Sequence, residues 1–501
     1  MLPTVLLAFP LAFPLSFWAA GVGLRTVEVD AARTTGTIRS FQGVCDGPLP
    51  LRPDTGVDLT KQYKALRIDF IRAHDLFGPV DIEAHWTNPP RGLPISADAS
   101  SLTVFPNWSA DPERPESYNF GPTDRFVAGV VGSGAQMCYR IGRSFGADGT
   151  PPPDFDKYAN IVRHVAMHYN AGWANGFHDN IRYWEVWNEP NAQGSWNPGV
   201  ITPFWSGTPQ QYYTLYQKVA AALKSFDPTL KVGAPALAVP DMPGPYREGF
   251  LRYCAANRLP LDFFSWHHYH GGSFDPYDMV RIGQIMRQLL DTNGFRNTEM
   301  LVTEWNTAPG RAARQPVNQS PMDAAAFVGN ILTYLQDSAV NRATYYRADA
   351  GPHRLFTTDG SYSLNAYVFW AAGQMLDTPE RLPVTGADTM GFSVLAGRSA
   401  DRSKVRLLIA NYEIPAQYRG PRPGGRRLPR QPGIAYGNNR GYALRIANLP
   451  WGSGAFTAKR YHLSESGSFN IQNLPAGHGP AFELHQELPP PGVDFIVIER
   501  Q

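Results

Sequence analysis

The stretch Tyr183-Trp184-Glu185-Val186-Trp187-Asn188-Glu189-Pro190-Asn191 begins as a strand and ends in an abrupt polar stop. Tyr183 to Trp187 are apolar or aromatic except for Glu185, a composition that suits a buried strand. Pro190 cannot donate to a ladder, so Asn188 and Glu189 fall at the strand's tip. A carboxylate fixed there, beside an amide, is placed for acid/base work. Its counterpart is Met300-Leu301-Val302-Thr303-Glu304-Trp305-Asn306, again an apolar run ending in a carboxylate flanked by Trp and Asn.

The surrounding chain repeats this pattern. Short apolar runs alternate with helical periodicities, and strand tips fall near Gly43, Arg72, Tyr139, Trp187, Gly233, Trp266, Thr303 and Tyr345. Thr208-Pro209-Gln210-Gln211 and Ser320-Pro321-Met322-Asp323 are strong helix starts, each with a capping hydroxyl, a proline and a partner three residues on. Eight strand–helix units predict an α/β fold, a (β/α)8 TIM barrel. No glycine-rich dinucleotide loop follows an early strand. After Leu376 short strands alternate with turns, which predicts a C-terminal all-β accessory domain. The expected division is an apolar segment at 1–24, a strand at 25–36 that joins the β-domain, a barrel at 37–375, and a β-sandwich-like domain at 376–501.

Composition narrows the function classes. The net charge is +2, with 18% charged and 12% aromatic residues. No basic face stands out beyond the loop-like Arg419–Arg430 stretch, so nucleic acid is not an expected partner. Three cysteines, Cys45, Cys138 and Cys254, match neither a zinc site nor a disulfide framework. Residues 1–20 are almost wholly apolar but lack a basic start and contain three prolines. They read either as a signal peptide, which implies a secreted or periplasmic protein, or as an N-terminal arm of a cytoplasmic one. No later stretch is long and apolar enough to span a membrane.

Barrel sites form at the C-terminal ends of strands. Glu189 and Glu304 occupy two such ends, and a carboxyl pair across a pocket is the minimal machinery for cleaving a glycosidic bond. Asn188 is placed to bond a sugar hydroxyl. His267 follows the sixth strand and either bonds substrate or supports the surroundings of Glu304. Tyr269 is placed to orient Glu304, and Arg72 to do so through charge-assisted bonds. His74 and Arg140 also sit at strand tips; Arg140 either recognises a uronic acid carboxylate or supports the rim. Trp187 and Trp305 are candidate pocket walls, and Trp86, Trp108, Trp196 and Trp205 are candidate sugar-stacking residues from long loops. The histidines lack a third ligand of convincing geometry, so no metal site is expected.

Trp187-Asn188-Glu189-Pro190 together with Thr303-Glu304-Trp305-Asn306 resembles the clan A glycoside hydrolases. More narrowly, the chain resembles glycoside hydrolase family 39, the family of β-xylosidases and α-L-iduronidases. Ser265-Trp266-His267-His268-Tyr269 resembles that family's segment after the sixth strand. Leu355–Gly360 and Asn365-Ala366-Tyr367 resemble its segment after the eighth. The resemblance implies retention of anomeric configuration, Glu189 as acid/base, Glu304 as nucleophile, no cofactor, and an oligosaccharide or glycoside substrate. Homo-oligomers occur in that family and are an open expectation here. Exo action on a β-xyloside is favoured, with an α-L-arabinofuranosidase close behind. An endo-acting polysaccharide hydrolase and a noncatalytic carbohydrate-binding barrel are the competing classes.

Overall fold

The computed structural model describes residues 24–50, 56–84, 99–192, 204–269, 274–307, 320–350, 354–414 and 440–501. Two short strands come first, β1 (Leu24–Asp30) and β2 (Gly36–Thr37). Eight parallel strands then close into a barrel: β3 (Gly43–Cys45), β4 (Phe70–Ala73), β5 (Gln136–Ile141), β6 (Tyr183–Val186), β7 (Lys231–Leu237), β8 (Phe263–Tyr269), β9 (Glu299–Asn306) and β10 (Arg342–Tyr345). β10 pairs with β3 to complete the ring. The closure is tight at Gly43, where a Cβ would lie 2.3 Å from the carbonyl oxygen of Ala343. Inside the lower barrel Phe70, Cys138, Tyr183, Phe263 and Leu301 form a separate apolar cluster. These are the inward members of their strands, and they fill the barrel floor as a packed layer.

The helices return the chain along the outside: α1 (Thr60–Leu66), α2 (Gly121–Ser133), α3 (Phe155–Ala171), α4 (Pro209–Phe226), α5 (Phe250–Ala256), α6 (Asp278–Thr292), α7 (Pro321–Tyr334) and α8 (Leu364–Met375). Both expected capping boxes form. Thr208 accepts from the backbone of Gln211 at the start of α4, and Ser320 from Asp323 at the start of α7. Asp154 caps α3 in the same way through Asp156 and Lys157. Among the described residues no helix is long and apolar enough to cross a membrane.

Beyond α8 the described residues are all β: β11 (Glu380–Arg381), β12 (Val384–Thr385), β13 (Phe392–Arg398), β14 (Lys404–Asn411), β15 (Gly441–Ala447), β16 (Ala455–Leu463), β17 (Phe469–His478), β18 (Phe482–Glu487) and β19 (Gly492–Arg500). They build a seven-stranded sheet, β17-β16-β19-β14-β13-β11-β2, and a four-stranded one, β12-β1-β15-β18. β1 runs parallel to β15. Sequence periodicity missed β17 and β18. Both are mostly exposed, so they carry little apolar signal, and Pro475 in β17 is tolerated at a sheet edge.

The centre of the large sheet is buried on both faces. Val405, Leu407 and Ile409 of β14 enter the β-domain core, while Leu408 and Ala410 enter the barrel's core. Consecutive strand residues point to opposite faces, which explains the unbroken apolar run in β14. α7 passes close beneath: a Cβ on Gly329 would lie 2.9 Å from that of Ala410.

Candidate active site

Arg72 on β4 is the hub of the upper barrel, and it is fully buried. Its Nε donates to Glu185 Oε2 at 2.6 Å, Nη1 to Glu304 Oε1 at 2.7 Å, and Nη2 to Asn188 Oδ1 at 2.8 Å. One rigid guanidinium fork thus fixes groups from β6, β9 and the loop after β6. In the sequence Glu185 is only the polar exception in a strand. It is a fully buried counter-ion, and its signal was a charge two residues from Tyr183 on the same strand face.

Glu304 faces inward because β9 carries an extra residue. Val302 pairs with Trp266, but Glu304, not Thr303, pairs with His267. The register of β9 on β10 shifts at the same place. Inserting one residue reverses the alternation, bringing Glu304 onto the face of Leu301 and turning Trp305 to the other. Trp305 is accordingly fully buried, in edge contact with Tyr345 at 5.0 Å and stacked with Phe369 of α8 at 6.3 Å. It is a core residue between barrel and helix, which corrects the expectation that it walls a pocket. The strands also run on past their expected tips: Glu304 lies within β9, and His267 and Tyr269 lie within β8.

Tyr269 donates its hydroxyl to Glu304 Oε2 at 2.5 Å. His267 lies between the two carboxyls. Its Nδ1 is 2.6 Å from Glu189 Oε1 and 3.6 Å from Glu304 Oε2, so it bridges the two carboxyls and is closer to Glu189. Glu189 itself follows Trp187 and Asn188 on a sharp bend, with φ of 72° at Trp187 and 45° at Glu189. The bend is anchored by the Glu189 amide, which donates to Ala236 O at 3.1 Å.

Burial pushes the Glu189 carboxyl up to about 8. Burial also raises Glu304, with His267 and Arg72 opposing the rise and Glu189 adding to it. The His267 imidazole is lowered by burial to about 4, so it is neutral at physiological pH. The site thus holds one carboxyl kept protonated by its dry surroundings and a second held by direct donors from Arg72 and Tyr269. Dry surroundings favour the protonated form of a carboxyl and direct donors its anion, the division of roles that acid/base chemistry uses. One atom from each of Glu189, His267 and Glu304 lies within 4.8 Å of the others. Arg72 places fixed positive charge against this group, which suits an anionic carboxylate better than a bound cation.

Arg140 does not reach out to a ligand. It is fully buried, its Nη2 is 2.6 Å from Asp81 Oδ1, and its Nε donates to His74 Nδ1 at 3.0 Å. Two of its nitrogens are thus spent on an internal ion pair and on His74, the rim-supporting alternative, while Nη1 is buried without a protein partner. His74 also lies inside, with Nε2 at 3.3 Å from Glu304 Oε1 and 3.2 Å from Asp75 Oδ1. Trp187, a candidate pocket wall, and Trp205, a candidate stacking residue, are both buried against each other in an edge contact at 5.1 Å. Trp108 is half-buried and lies under the Lys157 ammonium at 5.5 Å. Trp86 and Trp196 lie outside the described residues.

Residues 125–348 match the model of the glycosyl hydrolases family 39. The chain is 32% identical to a glucosidase from Croceicoccus marinus of known structure, over 95% of this chain and 99% of that one, with a TM-score of 0.82. The chain belongs to glycosyl hydrolase family 39. Two β-xylosidases are also similar. That of Geobacillus stearothermophilus is 30% identical over 201 residues, which cover 37% of each chain. That of Caldicellulosiruptor saccharolyticus is 25% identical over 325 residues, 61% of this chain and 60% of the relative. The chain therefore spans about a third to three fifths of the curated relatives it matches. Within this family 39 chain, the motif-bearing residues Arg72, Asn188, Glu189, His267, Tyr269 and Glu304 converge on one barrel mouth. Asp75, Asp81 and Tyr346 join them without having been singled out, because they stand in loops whose partners are distant in sequence. Tyr346 donates to Asp75 Oδ2 at 2.7 Å.

Proposed function

We propose that the protein is a retaining exo-glycoside hydrolase acting on β-D-xylosides, with Glu304 as nucleophile and Glu189 as acid/base. The observation that carries this reading is the pairing of a Glu189 carboxyl raised to about 8 with a Glu304 held by Arg72 and Tyr269, oxygens of the two lying within 4.8 Å. Retaining enzymes place their carboxyls about 5–5.5 Å apart, close enough for one to attack the sugar directly. In the first step a Glu304 oxygen bonds to the anomeric carbon as the glycosidic C–O bond breaks, and the Glu189 proton passes to the departing oxygen. In the second, Glu189 takes a proton from water, whose oxygen bonds to the anomeric carbon and releases Glu304. Tyr269 and Arg72 hold the attacking carboxylate in place through both steps.

Asn188 is oriented by the same network. Arg72 can only donate, so the Asn188 oxygen faces it and Nδ2 is left buried without a protein partner. A sugar 2-hydroxyl meeting that amide satisfies it, and such a bond strengthens at the transition state.

The β-xylosidase relatives favour a xyloside. A second reading, a glucosidase, is favoured by the relative similar over its whole length. Hydrolysis of 4-nitrophenyl β-D-xyloside, β-D-glucoside and α-L-arabinofuranoside decides among them. Turnover of the xyloside with the highest kcat/KM is expected, and proton NMR should show the β-anomer released first. Undiminished activity after changing both Glu189 and Glu304 to Gln would sink the assignment.

A further inference from the structure

His74 sits between two carboxylates and one guanidinium. Arg140 Nε donates to its Nδ1 at 3.0 Å. A guanidinium has no acceptor and stays charged, so that bond requires a bare lone pair on Nδ1. The imidazole proton must then be on Nε2, which faces Glu304 Oε1 at 3.3 Å and Asp75 Oδ1 at 3.2 Å. An imidazolium would set an N–H against an N–H and is excluded by the same contact. Arg140 is itself locked. Asp81 Oδ1 takes its Nη2 at 2.6 Å and also accepts from Ser144 Oγ at 3.0 Å, while Asp81 Oδ2 accepts from the Gly78 amide at 3.1 Å.

We propose that Arg140 is a positioning residue: with Asp81 it fixes His74 as a neutral Nε2–H donor shared between Glu304 and Asp75. The consequence for catalysis rests on Glu304 being the nucleophile. Glu304 then has three donors, Arg72, Tyr269 and His74, and the third depends on a side chain that never touches substrate. The charged and titratable groups around His74 are Arg72 and Asp75 on its own strand end, Arg140 on β5, Asp81 in the following loop, His267 on β8, Glu304 on β9, and Arg347 after β10. Burial and the cations among them hold the His74 imidazole well below its ordinary value, consistent with a permanently neutral ring. The long excursion after β4 gains a purpose in this arrangement. Its backbone is pinned by the Val104 amide donating to Asp81 O at 2.8 Å and the Phe105 amide donating to Ile82 O at 2.7 Å. That pinning holds Asp81 against Arg140.

The test is long-range 1H–15N spectroscopy of the histidine-labelled protein, with H74Q assigning the resonance. Wild type should show His74 protonated on Nε2 alone between about pH 5 and 9, a span that brackets the ordinary histidine range. R140M/D81N removes the donor without stranding a buried Asp81. Its His74 should titrate, and its kcat on an aryl glycoside should fall about ten- to a hundredfold with KM little changed, as expected for loss of a hydrogen bond to a charged group. R140K keeps donor and charge and should keep the wild-type spectrum. Gln at 74 can present an N–H at the Nε2 position and Asn cannot, so H74Q should retain about tenfold more kcat than H74N. A proton on Nδ1 in wild type, an unchanged His74 signal in R140M/D81N, or H74N outperforming H74Q overturns the proposal. If wild type cleaves none of the glycosides, the functional reading fails while the spectra still decide the tautomer.

Discussion

Glu189 concentrates the chemical demands of the site in one side chain. Its carboxyl, raised to about 8 by burial, gives kcat/KM a basic limb that falls as pH rises through about 8. Replacing it with Gln should remove that limb and lower kcat/KM by about 10²–10⁴-fold, read from pH–rate profiles. The same group makes stability depend on pH. The native state keeps the Glu189 proton up to about pH 8, whereas the unfolded chain releases it near 4.5. Between those values the native state binds more protons, so stability is lost as pH rises. E189Q removes that penalty. Its thermal midpoint should match wild type near pH 4.5 and exceed it at pH 8, by no more than a few kcal/mol in free energy. A midpoint difference that does not grow with pH would contradict the burial argument.

β9 shows how one inserted residue assigns roles. Alternation from Leu301 would have sent Thr303 and Trp305 inward and Glu304 outward; the register shift reverses this at the site's edge. Trp305 is therefore expected to behave as packing. W305L should lower stability by about 2–4 kcal/mol, measured by urea denaturation, with KM for the aryl glycoside close to wild type. A large KM change with stability intact would return Trp305 to the pocket wall. The helix starts behave as local sequence dictates. T208A should cost about 1 kcal/mol through loss of the cap on α4, read as a lower thermal midpoint with kcat unchanged.

Among the described residues, barrel and β-domain meet where β14 and β19 lie across α7 and α8. Val493 and Phe495 of β19 join the barrel's core while Ile496 and Ile498 join that of the β-domain. Trp370 of α8 packs edge-on against Phe495 at 5.8 Å. Gly329 provides the close approach of α7 to β14. G329V should cost about 1–3 kcal/mol by overpacking at that point, seen as a lowered unfolding midpoint for the whole chain. A midpoint equal to wild type would mean that the contact carries no stability.

Local chemistry determined much of this protein. Apolar runs, capping hydroxyls and N-terminal prolines act within a few residues, so the alternation that makes a barrel, and the starts of α3, α4 and α7, were readable along the chain. Asn188-Glu189-Pro190 and Thr303-Glu304-Trp305 were readable for the same reason, since a polar stop after a buried strand is a local event. Tertiary structure decided which way side chains turned and what they met. The extra residue in β9 is invisible until β8 and β10 pair with it, so the fates of Glu304 and Trp305 could not be separated in sequence. Glu185, Asp75 and Asp81 acquired meaning only when Arg72, His74, Arg140 and Tyr346 were brought to them. A buried charge is tolerated only beside its partner, and the partners here come from different strands and loops.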